Sequence, residues 1–284
     1  MKLVDLHLHS NRSDGLKPPQ EVIRLAAEAG LAAAALCDHD TVEGLEEAME
    51  AGRRFCIEVL SGVELSTTHG EFDDLHLLAY GFDPACPELL ASLRDFRGHR
   101  LNRSRKMLRR INDKLIEEGR TPFEPERIET LAEGAIGRPH LALLLMERGY
   151  VKNMEEAFRR YLTPCNEPKR PLLTIEAIPL VHRAGGVAVM AHPLLLTRDM
   201  ETLKSLFVEL IPHGLDGIEA YASSATNDES DQLVTIAAAL GLIVTGGSDF
   251  HGLDGGEIRI GAGKGNLRIP YRLVEDLKKR LPAN

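Results

Sequence analysis

Short apolar runs alternate with amphipathic stretches along most of the chain. The apolar runs at 3–8 and 32–37 predict strands, and the helical spacing of the apolar residues after them predicts helices at 19–30 and 42–55. The same order returns in the last third, with predicted helices at 175–184, 201–210 and 228–240 and predicted strands at 187–191, 217–221 and 242–246. Repeated strand–helix order favours a parallel sheet, either open or closed into a barrel.

Residues 97–171 interrupt this alternation. Leu101, Leu108, Ile111 and Leu115 recur at helical spacing, while basic residues occupy other faces of the same segment. This pattern predicts a helical insertion with a basic face. We therefore expect one domain built from 1–96 and 172–284, with the insertion at 97–171 between its two parts.

The composition excludes several classes of protein. The formal net charge of −9 argues against a general binder of duplex DNA, because such proteins present a broad basic surface. The four cysteines show no CxxC spacing, so we expect reduced thiols rather than a disulfide framework. No apolar stretch has the length of a signal-peptide core or a membrane span. We therefore expect a soluble cytoplasmic protein that attracts any anionic substrate locally, through bound cations or clustered arginines.

Metal-ligating residue types stand at or near the ends of the predicted strands. His7 and His9 lie two residues apart, as do Asp249 and His251, and alternate residues of a strand share one face. The active site of a (β/α) barrel lies at the carboxyl ends of its strands. Closure of the sheet would make the first and last strands neighbours and bring the two pairs together. An open sheet would separate them.

The candidate ligand set combines imidazole and carboxylate side chains, and its nine members are His7, His9, Asp14, His39, Glu64, His76, His192, Asp249 and His251. This mixture suits Mn, Fe or Zn better than Mg, which prefers oxygen ligands. With about four protein ligands per ion and a shared carboxylate, the set is large enough for two or three divalent ions. We expect Mn, with Fe or Zn as alternatives.

Each motif also has a simpler explanation on its own. His76 would be a core histidine, His192 a strand terminator and Asp14 part of an ordinary turn. These explanations lose weight because all of them would have to hold together. Four other histidines lack the strand-end placement and are expected to be surface or packing residues: His69, His99, His182 and His213.

In their order along the chain, these motifs resemble the polymerase and histidinol phosphatase (PHP) family of metal-dependent phosphoesterases: HxHS at 7–10, SDG at 13–15, DHD at 38–40, GVE at 62–64, AHP at 191–193 and GSDFH at 247–251. The resemblance implies a distorted (β/α)7 barrel that holds three metals. It implies the following ligand sets: His7, His9, Glu64 and Asp249; Glu64, His76 and His192; and Asp14, His39 and His251.

The insertion resembles one branch of that family in particular. The segments 100–103, 137–142 and 185–193 are similar to the stand-alone branch that hydrolyses nucleoside 3',5'-bisphosphates and trims short RNA from its 5' end. This resemblance implies that the insertion covers the mouth of the active site and recognises phosphate. Arg103, Arg138 and His140 are the candidate contacts. A basic helix face that is simply solvated is the alternative explanation.

The expected activity is removal of the 3'-phosphate of a nucleoside 3',5'-bisphosphate to leave a 5'-monophosphate, with stepwise cleavage of short 5'-phosphorylated oligoribonucleotides as a further activity. Clustered metals would stabilise charge on the phosphoryl oxygens and activate water, so no serine or cysteine nucleophile is required. His140, His192 or metal-bound water would protonate the leaving oxygen. The expected partners are a nucleotide and short single-stranded RNA, and neither duplex DNA nor a membrane.

Three other functions compete with this expectation. Histidinol-phosphate phosphatase is the closest enzyme alternative. A polymerase-associated or nucleic-acid-binding module with a vestigial metal site is the alternative from another class, and the intact ligand set argues against it. A metal-dependent amidohydrolase is disfavoured, because no bridging lysine stands at a predicted strand end.

Overall fold

The structure is a computed structural model that describes residues 2–130, 136–168, 172–252 and 256–282, apart from the side chains of 128–130. The predicted domain limits at positions 1, 171 and 284 lie outside the described residues. None of the helices in these ranges is both long enough and apolar enough to cross a membrane. All four cysteines are free thiols.

The described ranges contain seven strands and nine α-helices. The strands are β1 (Val4–Leu8), β2 (Ala33–Leu36), β3 (Glu58–His69), β4 (Phe72–Tyr80), β5 (Val187–Met190), β6 (Gly217–Ala222) and β7 (Ile243–Gly247). The helices are α1 (Pro19–Glu28), α2 (Leu45–Phe55), α3 (Pro87–Glu117), α4 (Arg138–Glu147), α5 (Met154–Ala157), α6 (Thr174–Arg183), α7 (Met200–Leu210), α8 (Asn227–Leu240) and α9 (Arg272–Arg280). A π-helical turn, Phe158–Leu162, follows α5.

The seven strands form one sheet in sequence order. Neighbouring strands run parallel except at β4, which pairs antiparallel with both β3 and β5. β3 and β4 are joined by a tight turn in which Gly70 adopts a φ of 55°, a left-handed conformation that glycine reaches without a Cβ clash. The strand–helix alternation therefore fails between β3 and β4, because so short a connection has no room for a crossover helix.

The first and last strands meet, so the sheet is nearly closed. Leu8 at the end of β1 forms a bridge with Phe250, just beyond β7. The Asp249 N–H donates to the His7 carbonyl at 2.9 Å. Gly247 permits this approach, because a Cβ there would lie 2.2 Å from the His7 Cβ. The predicted distorted seven-stranded barrel is confirmed.

Alternate residues of the strands fall into two hydrophobic clusters, because successive side chains point to opposite faces of a sheet. One cluster joins strand residues such as Leu36 and Met190 to α1, α2, α6, α7 and α8. The other joins the alternating positions, such as Ala35 and Val189, to α9. Each large side chain buried in this way stabilises the fold by about 1.5 to 3 kcal/mol. The strands that carry the candidate ligands are therefore packed on both faces.

The helix α3 connects the barrel to the inserted helices. It begins at Pro87 and runs without interruption through the predicted limit at position 97. Phe96 packs in the barrel cluster, whereas Met107, Ile111 and Leu115 pack with residues of α4 and the π-helical turn in a third cluster. The change from one hydrophobic core to the other therefore occurs within a single helix.

Candidate metal centre

The candidate ligands converge at one place in the barrel. Among the described residues, three groups of side chains bring their ligand atoms within 4.8 Å of one another: His7, His9, Glu64 and Asp249; His9, Asp14, His39 and His251; and His39, Glu64 and His76. Because the groups share members, they form one continuous centre. The grouping differs from the implied ligand sets in two respects: His9 joins the set around Asp14, and His39 stands beside Glu64 and His76 where His192 was expected.

Glu64 occupies the middle of the centre and is fully buried. The ring nitrogens within 3.2 Å of its carboxylate are those of His7, His9 and His39 around Oε2, and those of His76 and His192 around Oε1. Both oxygens of one carboxylate thus face imidazoles. This is the arrangement expected of a carboxylate that bridges two cations.

Left-handed backbone conformations occur at three strand ends around the centre. Asp40, His192 and Asp249 adopt φ angles of 52°, 24° and 57°, although none of them is glycine. They follow β2, β5 and β7, at the ends where the centre lies. Left-handed backbone costs energy in residues that carry a Cβ, and it concentrates at functional sites. These backbone conformations therefore reduce the stability of the fold, and they set the direction of the side chains at the strand ends.

Charge is strongly coupled within the centre. Burial alone would raise the pKa of the Asp14, Glu64 and Asp249 carboxyls, but neighbouring histidines hold each pKa well below its usual range. Burial lowers the pKa of His39 to about 3, so its ring is neutral. Burial also opposes the charge on His251, yet Asp14 and Asp249 raise its pKa to about 10. The centre therefore presents anionic carboxylates that attract cations.

Several buried ring nitrogens have no hydrogen-bond partner within the described part of the chain: both nitrogens of His9, and Nδ1 of His39 and of His192. His9 Nε2 nevertheless lies 3.2 Å from carboxylate oxygens of both Glu64 and Asp249, and His39 Nδ1 lies 3.1 Å from Glu64 Oε2. Nδ1 of His9 and Nδ1 of His192 remain without a hydrogen-bond partner among the described residues. Such unpaired buried atoms cost about 1 to 3 kcal/mol each and are rare in folded proteins. Coordination to divalent ions would satisfy them, so this donor set fits divalent metals.

Glu219 is a buried acid that the sequence analysis missed. It lies in β6 with its Oε1 3.1 Å from His7 Nδ1, and its Oε2 accepts the His192 N–H at 2.8 Å. A carboxylate on the far nitrogen of a histidine fixes the orientation and tautomer of a metal-binding ring. A single charged residue inside an apolar strand was the available signal, because such a residue needs a buried partner.

Two further carboxylates hold the loops of the centre. Asp38 accepts the Ser10 N–H at 2.8 Å and the hydroxyls of Ser10 and Ser13 at 2.6 Å, which fixes the loop that carries Asp14. Asp5 accepts the Ser248 N–H at 2.8 Å, next to Asp249. These contacts position ligands that follow both the first and the last strand of the sheet.

A cavity of about 130 Å³ opens beside the centre. Its lining combines candidate ligands with basic residues of the insertion, and includes Asp14, His39, His76, Arg100, Arg103 and Arg138. The cavity is therefore suited to an anion that contacts metal ions and arginines together.

The three arginines are held in different ways. Arg100 donates to Asp40 Oδ2 at 2.6 Å and to Ser66 Oγ at 2.7 Å, which ties α3 to the barrel. Arg103 donates to the Glu167 carbonyl at 2.6 Å. Arg138 lies 3.4 Å from a carboxylate oxygen of Asp74 and stacks over the Phe158 ring.

His140 is not among the described residues that line this cavity. Its ring is buried, and its Nδ1 accepts the Gly137 N–H at 3.0 Å at the start of α4. Burial lowers the pKa of this ring, which also hydrogen bonds to the backbone of Ser13. The roles of His140 as a phosphate contact and a proton donor stay predictions, and both would require it to leave a backbone contact.

Comparison with known proteins identifies the family. A sequence model of the PHP domain matches residues 5–167. The chain therefore belongs to the PHP family, as its motifs predict.

Relatives and solved structures extend the match over nearly the whole chain. A 5'-3' exoribonuclease of Haemophilus influenzae is 35% identical over 88% of this chain and 90% of its own length. A 3',5'-nucleoside bisphosphate phosphatase of Chromobacterium violaceum is 36% identical over 88% of each chain. A solved structure from Bifidobacterium adolescentis is described by inference as a metal-dependent phosphoesterase. It matches this chain with a TM-score of 0.82 and 30% identity, over 99% of this chain and 97% of its own.

Proposed function

We propose that this protein is a metal-dependent phosphoesterase that removes the 3'-phosphate of nucleoside 3',5'-bisphosphates and releases the nucleoside 5'-monophosphate. The observation that carries the proposal is the cavity in which candidate metal ligands and three arginines share one lining. The activities named for the Haemophilus and Chromobacterium relatives support it.

The candidate ligands and the arginines of that lining have different proposed roles. The residues around Glu64 would hold two or three divalent ions, which supply charge stabilisation for the reacting phosphate. The arginines of the insertion bind the second phosphate, because guanidinium groups pair well with phosphate oxygens. Binding energy from the remote phosphate then orients the reacting one. Mn is the proposed metal, with Fe or Zn as alternatives.

Proton delivery to the leaving oxygen is proposed for His192 in preference to His140. His192 stands outside the three ligand groups found among the described residues, and its Nε2 lies 3.0 Å from Glu64 Oε1. Its Nδ1 has no hydrogen-bond partner in that part of the chain. The His140 ring, by contrast, is engaged with the backbone at the start of α4.

The same orientation allows a second activity, stepwise cleavage of short 5'-phosphorylated RNA. The first phosphodiester of such an RNA places an esterified 3'-phosphate where the bisphosphate carries a free one. Short single-stranded RNA is therefore the proposed macromolecular partner, whereas the net charge of −9 disfavours duplex DNA. The cytoplasm is the proposed location.

Phosphate release from three substrates tests this proposal: adenosine 3',5'-bisphosphate, AMP and histidinol phosphate, each with added Mn. We expect the bisphosphate to have by far the highest kcat/KM and phosphorus NMR to show AMP as the product. Formation of adenosine 3'-monophosphate would overturn the assigned orientation. A higher kcat/KM for histidinol phosphate would overturn the substrate class.

A further inference from the structure

Three basic residues of α3 form a stripe that leads away from the cavity. Arg103, Lys106 and Arg110 are spaced by three and four residues, so they share one face of the helix. Arg103 lines the cavity, and Arg110 lies two turns farther along, at about 10 Å for a rise of 1.5 Å per residue. We call these three residues the basic ridge.

The basic ridge faces a short segment that carries little negative charge. Arg103 donates to the Glu167 carbonyl and to Asn166 Oδ1, at 2.6 and 2.8 Å. Lys106 Nζ and Arg110 Nη2 lie 2.9 and 2.7 Å from the two carboxylate oxygens of Glu167. Lys106 and Arg110 thus share a single carboxylate, while Arg103 donates to neutral oxygens.

The outer part of the basic ridge is accessible. The side chains of Lys106 and Arg110 are 61% and 51% exposed, so their pairing with Glu167 is solvated and weak. At the inner end, burial and the neighbouring Arg138 and Arg100 lower the pKa of Arg103 to about 10. Positive charge therefore accumulates from the cavity outward, in a chain whose net charge is −9.

We propose that the basic ridge binds the backbone phosphates of a single-stranded RNA downstream of the bond that is cleaved. This inference rests on the proposed function, because it requires the 5' end of the RNA in the cavity. A nucleoside bisphosphate has both phosphates in the cavity and does not extend to Lys106 or Arg110. The basic ridge therefore distinguishes oligonucleotides from free nucleotides.

The double variant Lys106→Ala/Arg110→Ala tests the inference in the full-length, Mn-loaded protein. The substrates are adenosine 3',5'-bisphosphate and 5'-phosphorylated oligoadenylates of two and six nucleotides. We expect the hexanucleotide to lose on the order of tenfold in kcat/KM at low salt, while the bisphosphate and the dinucleotide are unchanged. The slope of log kcat/KM against log salt for the hexanucleotide should become shallower by about 1.4, the value for two contacts to a single strand.

The double variant Arg105→Ala/Arg109→Ala is the matched control. It removes the same charge from the same helix, but from a different face, because a helix turns about 100° per residue. An equal loss in both variants would mean that net charge and not the basic ridge attracts RNA, and would overturn the inference. Unchanged hexanucleotide cleavage in the Lys106→Ala/Arg110→Ala variant would overturn it too. Failure of the wild type to hydrolyse the bisphosphate would instead contradict the proposed function itself.

Discussion

Glu64 is the residue on which the centre depends most, because its one carboxylate faces five imidazoles. Glu64→Gln keeps the shape but removes the charge, and an amide is a poor bridge between cations. We expect metal affinity to fall by more than about 100-fold, with loss of nearly all turnover. Elemental analysis and phosphate release measure both effects, with Glu46→Gln, at an exposed position on α2, as the control. A Glu64→Gln variant with wild-type metal content and rate would show that Glu64 is not the bridge.

Arg138 tests the role of the arginines at the level of a single side chain. Charge-assisted hydrogen bonds contribute about 1.5 to 3 kcal/mol, so Arg138→Ala should reduce kcat/KM on the bisphosphate by about 10- to 150-fold. Metal content should not change. The loss should be smaller on a simple monophosphate ester, which lacks the second phosphate. Arg159→Ala, at an exposed position on the π-helical turn, is the control. Equal losses on both substrates would show that Arg138 does not contact the second phosphate.

Protonation of the histidines predicts how metal binding depends on pH. Burial disfavours the charged ring of His251, but carboxylates raise its pKa to about 10, above the ordinary value of 6.5. In the metal-free protein this proton stays bound at neutral pH and is lost as the pH rises through about 10, and a metal requires the ring without it. Metal binding at pH 7.5 should therefore release protons, and affinity should increase with pH. His39, with a pKa of about 3, should release none.

Titration calorimetry in two buffers with different ionisation enthalpies measures this release. The His251→Gln variant should release about one proton fewer than the wild type. Identical binding heats in both buffers would contradict the protonation state assigned to His251.

At the scale of elements, the contact between β1 and β7 depends on one glycine. A Cβ at position 247 would lie 2.2 Å from the His7 Cβ and 2.5 Å from the His7 backbone nitrogen. These distances are too short, so one of the two strands would have to move. Gly247→Ala should therefore cost about 1 to 3 kcal/mol or more of unfolding free energy and displace His7. A Cβ at Gly98, inside α3, would meet no described atom within 4 Å, so Gly98→Ala should be neutral or stabilise by up to about 1 kcal/mol. Urea unfolding and metal titration compare the two, and equal stabilities would contradict the tight contact.

The sequence predicted most strands, because a short apolar run between two predicted helices, such as 187–191, is read as a strand. It did not predict the antiparallel β4, since a glycine turn between two apolar runs leaves strand direction open. That the candidate ligands at strand ends converge could be predicted from residue type and spacing. The pairing of Glu219 with His7 could not, because it depends on which side chains the fold brings opposite each other, although an isolated acid in an apolar strand indicates a buried partner.

At the scale of the whole molecule, bound metal should contribute to stability as well as to activity. Ligands that bind only the folded state stabilise it by about 2.7 kcal/mol per site at 100 times their Kd. Chelation should abolish turnover and lower Tm by several degrees or more, and Mn should restore both. Elemental analysis of the restored protein should find two or three ions per chain. A folded sample that stays below one ion per chain after loading would contradict a multinuclear centre.

The contact between His7 and Asp249 also joins a segment that the ribosome releases early to one that it releases late. His7 and His9 therefore leave the exit tunnel long before Asp249 and His251, and most of the barrel is synthesised in the interval. Of the three ligand groups found among the described residues, that of His39, Glu64 and His76 is complete before β5 is made, whereas the other two wait for Asp249 and His251. The ligand groups that contain Asp249 and His251 can therefore take up metal only after the last strand has been made.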